Sequence, residues 1–148
     1  MIAVDTNILV YAHRSDLPFH EAARRIVEAL ATGSVRWAVP WPCIHEFLAV
    51  VTNGRVFRPA SPLTVAMSLV EALAHSGRCD FLAEGDAHLS TLQSLASSGS
   101  VSGGQFHDAR IAAICLAHGV RELWSADRDF SRYPALRVVN PLISATSR

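Results

Sequence analysis

Apolar residues in this chain recur with a helical period in several separate stretches. Phe19, Ala22, Ala23, Ile26, Val27 and Leu30 follow the 3.6-residue spacing, opened by Pro18 and stopped by Gly33. Leu63, Ala66, Leu69, Val70, Leu73 and Ala74 repeat it, with Ser61-Pro62 as cap and first-turn proline and Gly77 as the stop. A third helix is predicted from Pro42, where Ile44, Phe47, Leu48 and Val51 form one stripe and leave Glu46 off the core face. A fourth, capped by Asp86, carries Leu89, Leu92 and Leu95. Gln105 to His118 is apolar almost all round and closed by Gly119, so it should be a buried helix with Asp108 in its first turn.

Between these helices lie short β-prone runs. Ile2 to Val4 ends at Asp5, after which Thr6 and Asn7 offer capping oxygens to a helix through Ile8 to His13. Trp37 to Val39, Cys79 to Leu82, Leu123-Trp124 and Val138-Val139 are the further predicted strands. The stretch from Ser97 to Gly104, SSGSVSGG, has the composition of a flexible loop. Strands alternating with helices imply a parallel sheet with right-handed crossovers, whose ligand crevice lies outside the carboxyl ends of the strands. Asp5 and Asp127 directly follow strands, and Glu46 and Asp108 lie near the starts of helices that begin on that same edge.

Composition narrows the picture. The 148 residues are half apolar, which suits one α/β domain over residues 1–148 with no need of a disulfide or structural metal. The opening MIAVDTNILVYAH has Asp5 inside its apolar run and does not read as a signal peptide, and no apolar stretch reaches membrane-spanning length. Three widely spaced cysteines, Cys43, Cys79 and Cys115, fit a reduced, cytoplasmic protein. Thirteen basic residues, all arginine, balance thirteen acids, which argues against a broad polyanion-binding surface.

Four carboxylates gathered at one sheet edge would repel one another and raise their own pKa values unless a cation neutralised them. Oxygen ligands without Cys or His select a hard ion, Mg2+ or Mn2+ over zinc. An ion of that kind held by carboxylates commonly binds substrate phosphate as well, which makes phosphodiester hydrolysis the natural chemistry. The alternative for each acid is a local one, since acids at helix starts also serve as caps and dipole partners.

These motifs carry a family resemblance. Val4-Asp5-Thr6-Asn7, the helix with Glu46 after a strand, His107-Asp108-Ala109 at a helix start, and Ser125-Ala126-Asp127-Arg128-Asp129-Phe130 near the end resemble, in order and over nearly the whole chain, a PIN domain. More narrowly they resemble a VapC-type toxin ribonuclease of a toxin–antitoxin system. The resemblance implies a PIN-like three-layer α/β/α fold with a central parallel sheet of about five strands. It also implies a Mg2+- or Mn2+-dependent endoribonuclease, a homodimer, inhibited by a cognate VapB-like antitoxin. Asp5, Glu46, Asp108 and Asp127 match the family's acidic residues, Thr6 and Asn7 its first motif, and Ser125 the hydroxyl residue beside the last acid. Asp5, Glu46 and Asp108 would hold the metal, directly or through waters, with Asp127 supporting it or a second ion. Asp129 rivals Asp127, which is preferred because it follows the strand sooner.

Other residues have ordinary readings. His45 and His107 flank the acids but read as surface or cap residues, and Cys43 is poorly placed to act with His45 two positions on. Trp37, Trp41 and Trp124 sit beside strands and read as core. Arg14, Arg55, Arg58, Arg110, Arg128 and Arg132 are candidate phosphate contacts or plain surface charge. With the four acids set aside the remaining surface is mildly basic, which favours a small RNA footprint. Two other functions stay open on the sequence: a PIN-like nuclease in RNA processing or on structured DNA, and a non-catalytic binding module.

Overall fold

The structure, a computed structural model, describes residues 1–144. Five strands, β1 (Ile2–Val4), β2 (Trp37–Pro40), β3 (Cys79–Leu82), β4 (Glu122–Trp124) and β5 (Arg137–Val139), form one sheet in the order β3-β2-β1-β4-β5. Every pairing is parallel. Ile2 stands level with both Trp37 and Glu122, and Trp37 with Cys79, so the strands end together at one edge. The chain steps outward from β1 to β3 and then returns to the other side of β1. The switch point, where such sheets open a crevice, therefore lies between the carboxyl ends of β1 and β4.

Helices α1 (Thr6–His13), α2 (His20–Thr32), α3 (Trp41–Val51) and α4 (Leu63–His75) connect the first three strands, and α5 (His88–Gly99) and α6 (Gln105–Ala117) lead back to β4. Right-handed crossovers place the two groups on opposite faces of the sheet. The packing agrees, with α1 against α2 and α3, α3 against α4, and α5 against α6. A 3-10 turn at Arg128–Arg132 links β4 to β5, and α7 (Pro141–Ser144) follows.

Three-residue strands hold because both faces are covered: Ala3, Val4, Trp37, Ala38, Val39 and Leu123 are buried. Helix α6 is buried at Ala109 and from Ile111 to Cys115, as its all-round apolar sequence predicts, and Gly119 leaves it at φ +70°. Among the described residues no helix is long and apolar enough to cross a membrane.

Several local expectations are corrected. Asp5, not Thr6 or Asn7, caps α1, its side chain accepting the Thr6 N–H. Ser61 does not cap α4; buried between helices, its hydroxyl bonds His13 Nε2 at 2.8 Å and accepts from Arg14 Nη1 at 3.2 Å. Asp86 does not cap α5, which starts two residues later without a side-chain cap. That helix runs to Gly99, so only the second part of the serine- and glycine-rich stretch is loop. Helix propensity of the Leu95 face, buried against the core, overrides the loop-like composition there.

Candidate functional site

The site starts from the way β1 and β4 end. Asp5 N–H donates to Trp124 O at 3.0 Å, and Ser125 N–H to Val139 O at 2.9 Å. Ladder bonding thus continues one residue past each strand and sets the Asp5 and Ser125 side chains side by side. Both are buried, at 4% and 1% exposure. Ser125 Oγ donates to Asp5 Oδ2 at 2.6 Å and accepts from the Asp127 N–H at 3.0 Å. Asn7 Nδ2 donates to Asp5 Oδ2 and to Ser125 Oγ, both at 3.1 Å, while its Oδ1 accepts the Ala126 N–H at 3.1 Å. Asn7 therefore stitches the first turn of α1 to the loop after β4.

The second Asp5 oxygen accepts the Thr6 N–H at 2.8 Å and the Cys43 thiol at 3.4 Å. Cys43 reaches it because α3 begins directly after β2, which puts its first turn against β1. Burial, and then the Asp5 charge, raise the thiol pKa well above the usual value, so Cys43 stays a protonated donor. Four donors thus meet a carboxylate with about four lone-pair sites. Burial raises the Asp5 pKa, and the Ser125, Thr6 and Cys43 hydrogen bonds oppose it.

The outer acids are arranged differently. Glu46, exposed on α3, accepts from Thr6 Oγ1 at 3.0 Å. Asp108 lies in the first turn of α6, and among the described residues no protein donor bonds its carboxylate. Its pKa is pushed up to about 6, by burial first and then by the charges of Asp127, Asp5, Asp129 and Glu46. Asp108, Asp127 and Asp129 each offer a carboxylate oxygen within 4.8 Å of the others. Asp127 Oδ1 also accepts the Asp129 N–H at 2.8 Å and so starts the 3-10 turn.

Asp5, Glu46, Asp108 and Asp127 line one cavity of about 300 Å3, together with Thr6, Asn7, Val10, Tyr11, Leu17 and Val50. All four acids picked from the sequence are therefore brought together. Asp129 joins Asp108 and Asp127 from the exposed side. This donor set fits a hard divalent cation. Oxygen ligands converge, one acid has no protein donor among the described residues, and burial first and mutual repulsion second hold its pKa high in a way that a cation would relieve.

The sequence reading missed Cys43 as a donor to Asp5. Its i−3 spacing from Glu46 on one helix, directly after a strand, was the available signal. It also missed Tyr133, which is 1% exposed and whose phenol pKa is raised by burial and then by the nearby Asp108 charge. Of the three tryptophans, Trp37 is core, Trp124 is partly buried, and Trp41 is 37% exposed.

Known proteins resemble the chain in family and in fold. The family model of the PIN domain matches residues 2–136. Ribonuclease VapC43 of Mycobacterium tuberculosis is 39% identical over 147 residues, 99% of each chain. Ribonuclease VapC25 of the same organism is 33% identical over 143 residues, 97% of this chain and 100% of that one. Among solved structures, VapBC2 from Rickettsia felis bound to a DNA fragment from its promoter aligns with TM-score 0.68 and 19% identity, over 94% of this chain and 98% of that one. Mycobacterium tuberculosis VapC20, a sarcin–ricin loop cleaving toxin, aligns with TM-score 0.64 and 19% identity, over 88% and 93%. At those identities the likeness is one of fold.

Proposed function

The chain belongs to the PIN domain family and, within it, to the VapC ribonucleases, and from that premise we propose that it is the toxin of a type II toxin–antitoxin pair. Its activity is metal-dependent endoribonuclease cleavage of RNA phosphodiester bonds. The full chain works as a single PIN-like unit in the cytoplasm, as a homodimer held inactive by a VapB-like antitoxin. The match to VapBC complexes supports the antitoxin.

The observation that carries the activity is the convergence of Asp5, Glu46, Asp108 and Asp127 on one cavity. Asp5, Glu46, Asp108 and Asp127 would hold Mg2+ or Mn2+ between them, and Asp5, whose carboxylate already meets four donors, has the 3.4 Å Cys43 thiol as the weakest of them to give up. When bound, the ion supplies an acidified water and offsets charge on the scissile phosphate. Thr6 fixes Glu46, while Asn7 and Ser125 hold the Asp5 carboxylate in one rotamer, so the acids need little rearrangement when substrate arrives. Among the described residues no histidine lines the central cavity, and the proposed chemistry requires no imidazole base.

The test is cleavage of a small-RNA pool by the purified, antitoxin-free chain with Mg2+, Mn2+ or EDTA, beside D5N and D108N proteins. Discrete fragments with either metal, lost in EDTA and in both variants, are expected. Full cleavage by a folded D108N protein would contradict the assignment.

A further inference from the structure

Glu46 and Asp108 are shared walls. On their other side opens a second cavity of about 360 Å3, lined by Pro42, His45, His107, Arg110 and Ile111 as well as by the two acids. The two cavities differ in chemistry. Beyond the acids the first is lined by Thr6, Asn7 and Tyr11 with apolar Val10, Leu17 and Val50 and holds no basic side chain, whereas the second presents one guanidinium and two imidazoles. Resting on the ribonuclease reading, we infer that this second cavity seats the nucleotide adjacent to the cut, with Arg110 taking its phosphate and His45 and His107 flanking it.

Hydrolysis at phosphorus breaks one of the two ester bonds that join the scissile phosphate to the strand, while the other stays. A phosphate held at the acids therefore sends the strand away from them through two ester oxygens, and the two cavities that share Glu46 and Asp108 offer paths for its two arms. The second is the one with basic side chains for an anion. Arg110 has five N–H donors, and the Glu84 carboxylate pairs only with its Nε, leaving the remaining N–H groups without a partner among the described residues. Each imidazole ring offers at least one N–H whichever form it adopts. His45 also packs on Trp41 with ring centroids 5.7 Å apart and the rings tilted by 38°, which puts a part-exposed aromatic side chain of the kind on which unpaired bases stack beside the cavity. Neighbouring Glu84 pairs with Arg110 and so tempers its pull on a phosphate.

This arrangement sets opposite signs for two exposed variants. Binding of a short single-stranded RNA that the enzyme leaves uncut is measured by fluorescence anisotropy against salt, in Mg2+, for wild type, R110Q, E84Q and R121Q. Arg121 precedes β4 at the opposite sheet edge and is the control. Loss of one phosphate contact should lower the slope of log affinity against log salt by about 0.7 in R110Q. E84Q should tighten binding by roughly two- to fivefold, since it frees an exposed ion pair. R121Q should match wild type in slope. If the wild-type chain cleaves RNA while R110Q keeps the wild-type slope, or E84Q weakens binding, the subsite is wrong and the ribonuclease reading stands. A wild-type chain that neither binds nor cleaves RNA overturns both.

Discussion

Asp5 and Asp108 are both carboxylates of one cavity, yet the fold treats them in opposite ways. Asp5 is buried and receives four protein donors, from Thr6, Cys43, Asn7 and Ser125. Asp108 receives none among the described residues and carries a pKa pushed up to about 6. The inner half of the site is thus satisfied by protein donors, and on the proposed reading the outer half is completed by a cation. Asp5 is a structural and electrostatic foundation, because a buried charge persists only when hydrogen-bonded. Asp108 is held in a state that costs stability, which is what an ion-binding group looks like before its ion arrives.

The largest expected effect separates these roles. D108N should lose cleavage by about 100- to 1,000-fold, the scale of several kcal/mol of charge stabilisation. It should nevertheless unfold, without metal, at the same temperature as wild type or higher. D5N should lose cleavage as well and also lose about 1–3 kcal/mol of stability, since an amide presents a donor to groups that already donate. Thermal unfolding of the two proteins in EDTA checks this; equal stabilities would erase the distinction. S125A comes next. It deletes the 2.6 Å donor to Asp5 and the acceptor for Asn7 and Asp127. It should weaken metal binding about 10- to 100-fold, measurable by calorimetry.

How far the sequence foretold this division differs between the halves. Short β-prone runs located the five described strands, an all-round apolar stretch located the buried α6, and chain order placed Asp5, Glu46, Asp108 and Asp127 on the edge where they meet. A carboxylate directly after a strand is legible because the strand fixes its place to within a residue. The partners of Asp5 were only partly legible: Ser125 and Asn7 stand out as polar residues beside the acids, whereas the Cys43 thiol depends on how closely α3 follows β2. Asp129 could not be placed because its position depends on a five-residue 3-10 turn with no periodic signal. Ser61 reads as a helix cap in sequence and acts as a bridge to His13 and Arg14, a tertiary contact that overrides the local pattern.

Smaller effects sharpen the same contrast. In the metal-free chain Asp108 keeps its proton up to about pH 6, while in the unfolded chain it releases it near pH 4. The folded state therefore binds more protons in that window, and this group's contribution to stability falls as pH rises from about 4 to about 6. Because a cation competes with that proton, Mn2+ affinity should weaken by up to about tenfold per unit below pH 6 and level off above it. Calorimetry across the range checks this; a flat profile would mean Asp108 does not meet the ion. T6V, which removes the hydroxyl that donates to Glu46 and also meets the Cys43 thiol, should cost roughly 0.5–1.5 kcal/mol and a modest fraction of activity, read from denaturant midpoints and initial rates.

The most direct measurement is thermal unfolding of wild type and D108N with and without Mn2+. At about 100 times the dissociation constant, Mn2+ should stabilise wild type by about 2.7 kcal/mol, a rise of roughly 5–10 °C. D108N should start no lower and respond little. Equal Mn2+ shifts in both proteins would place the ion elsewhere and contradict the division of the site into an inner half held by the protein and an outer half held by the metal.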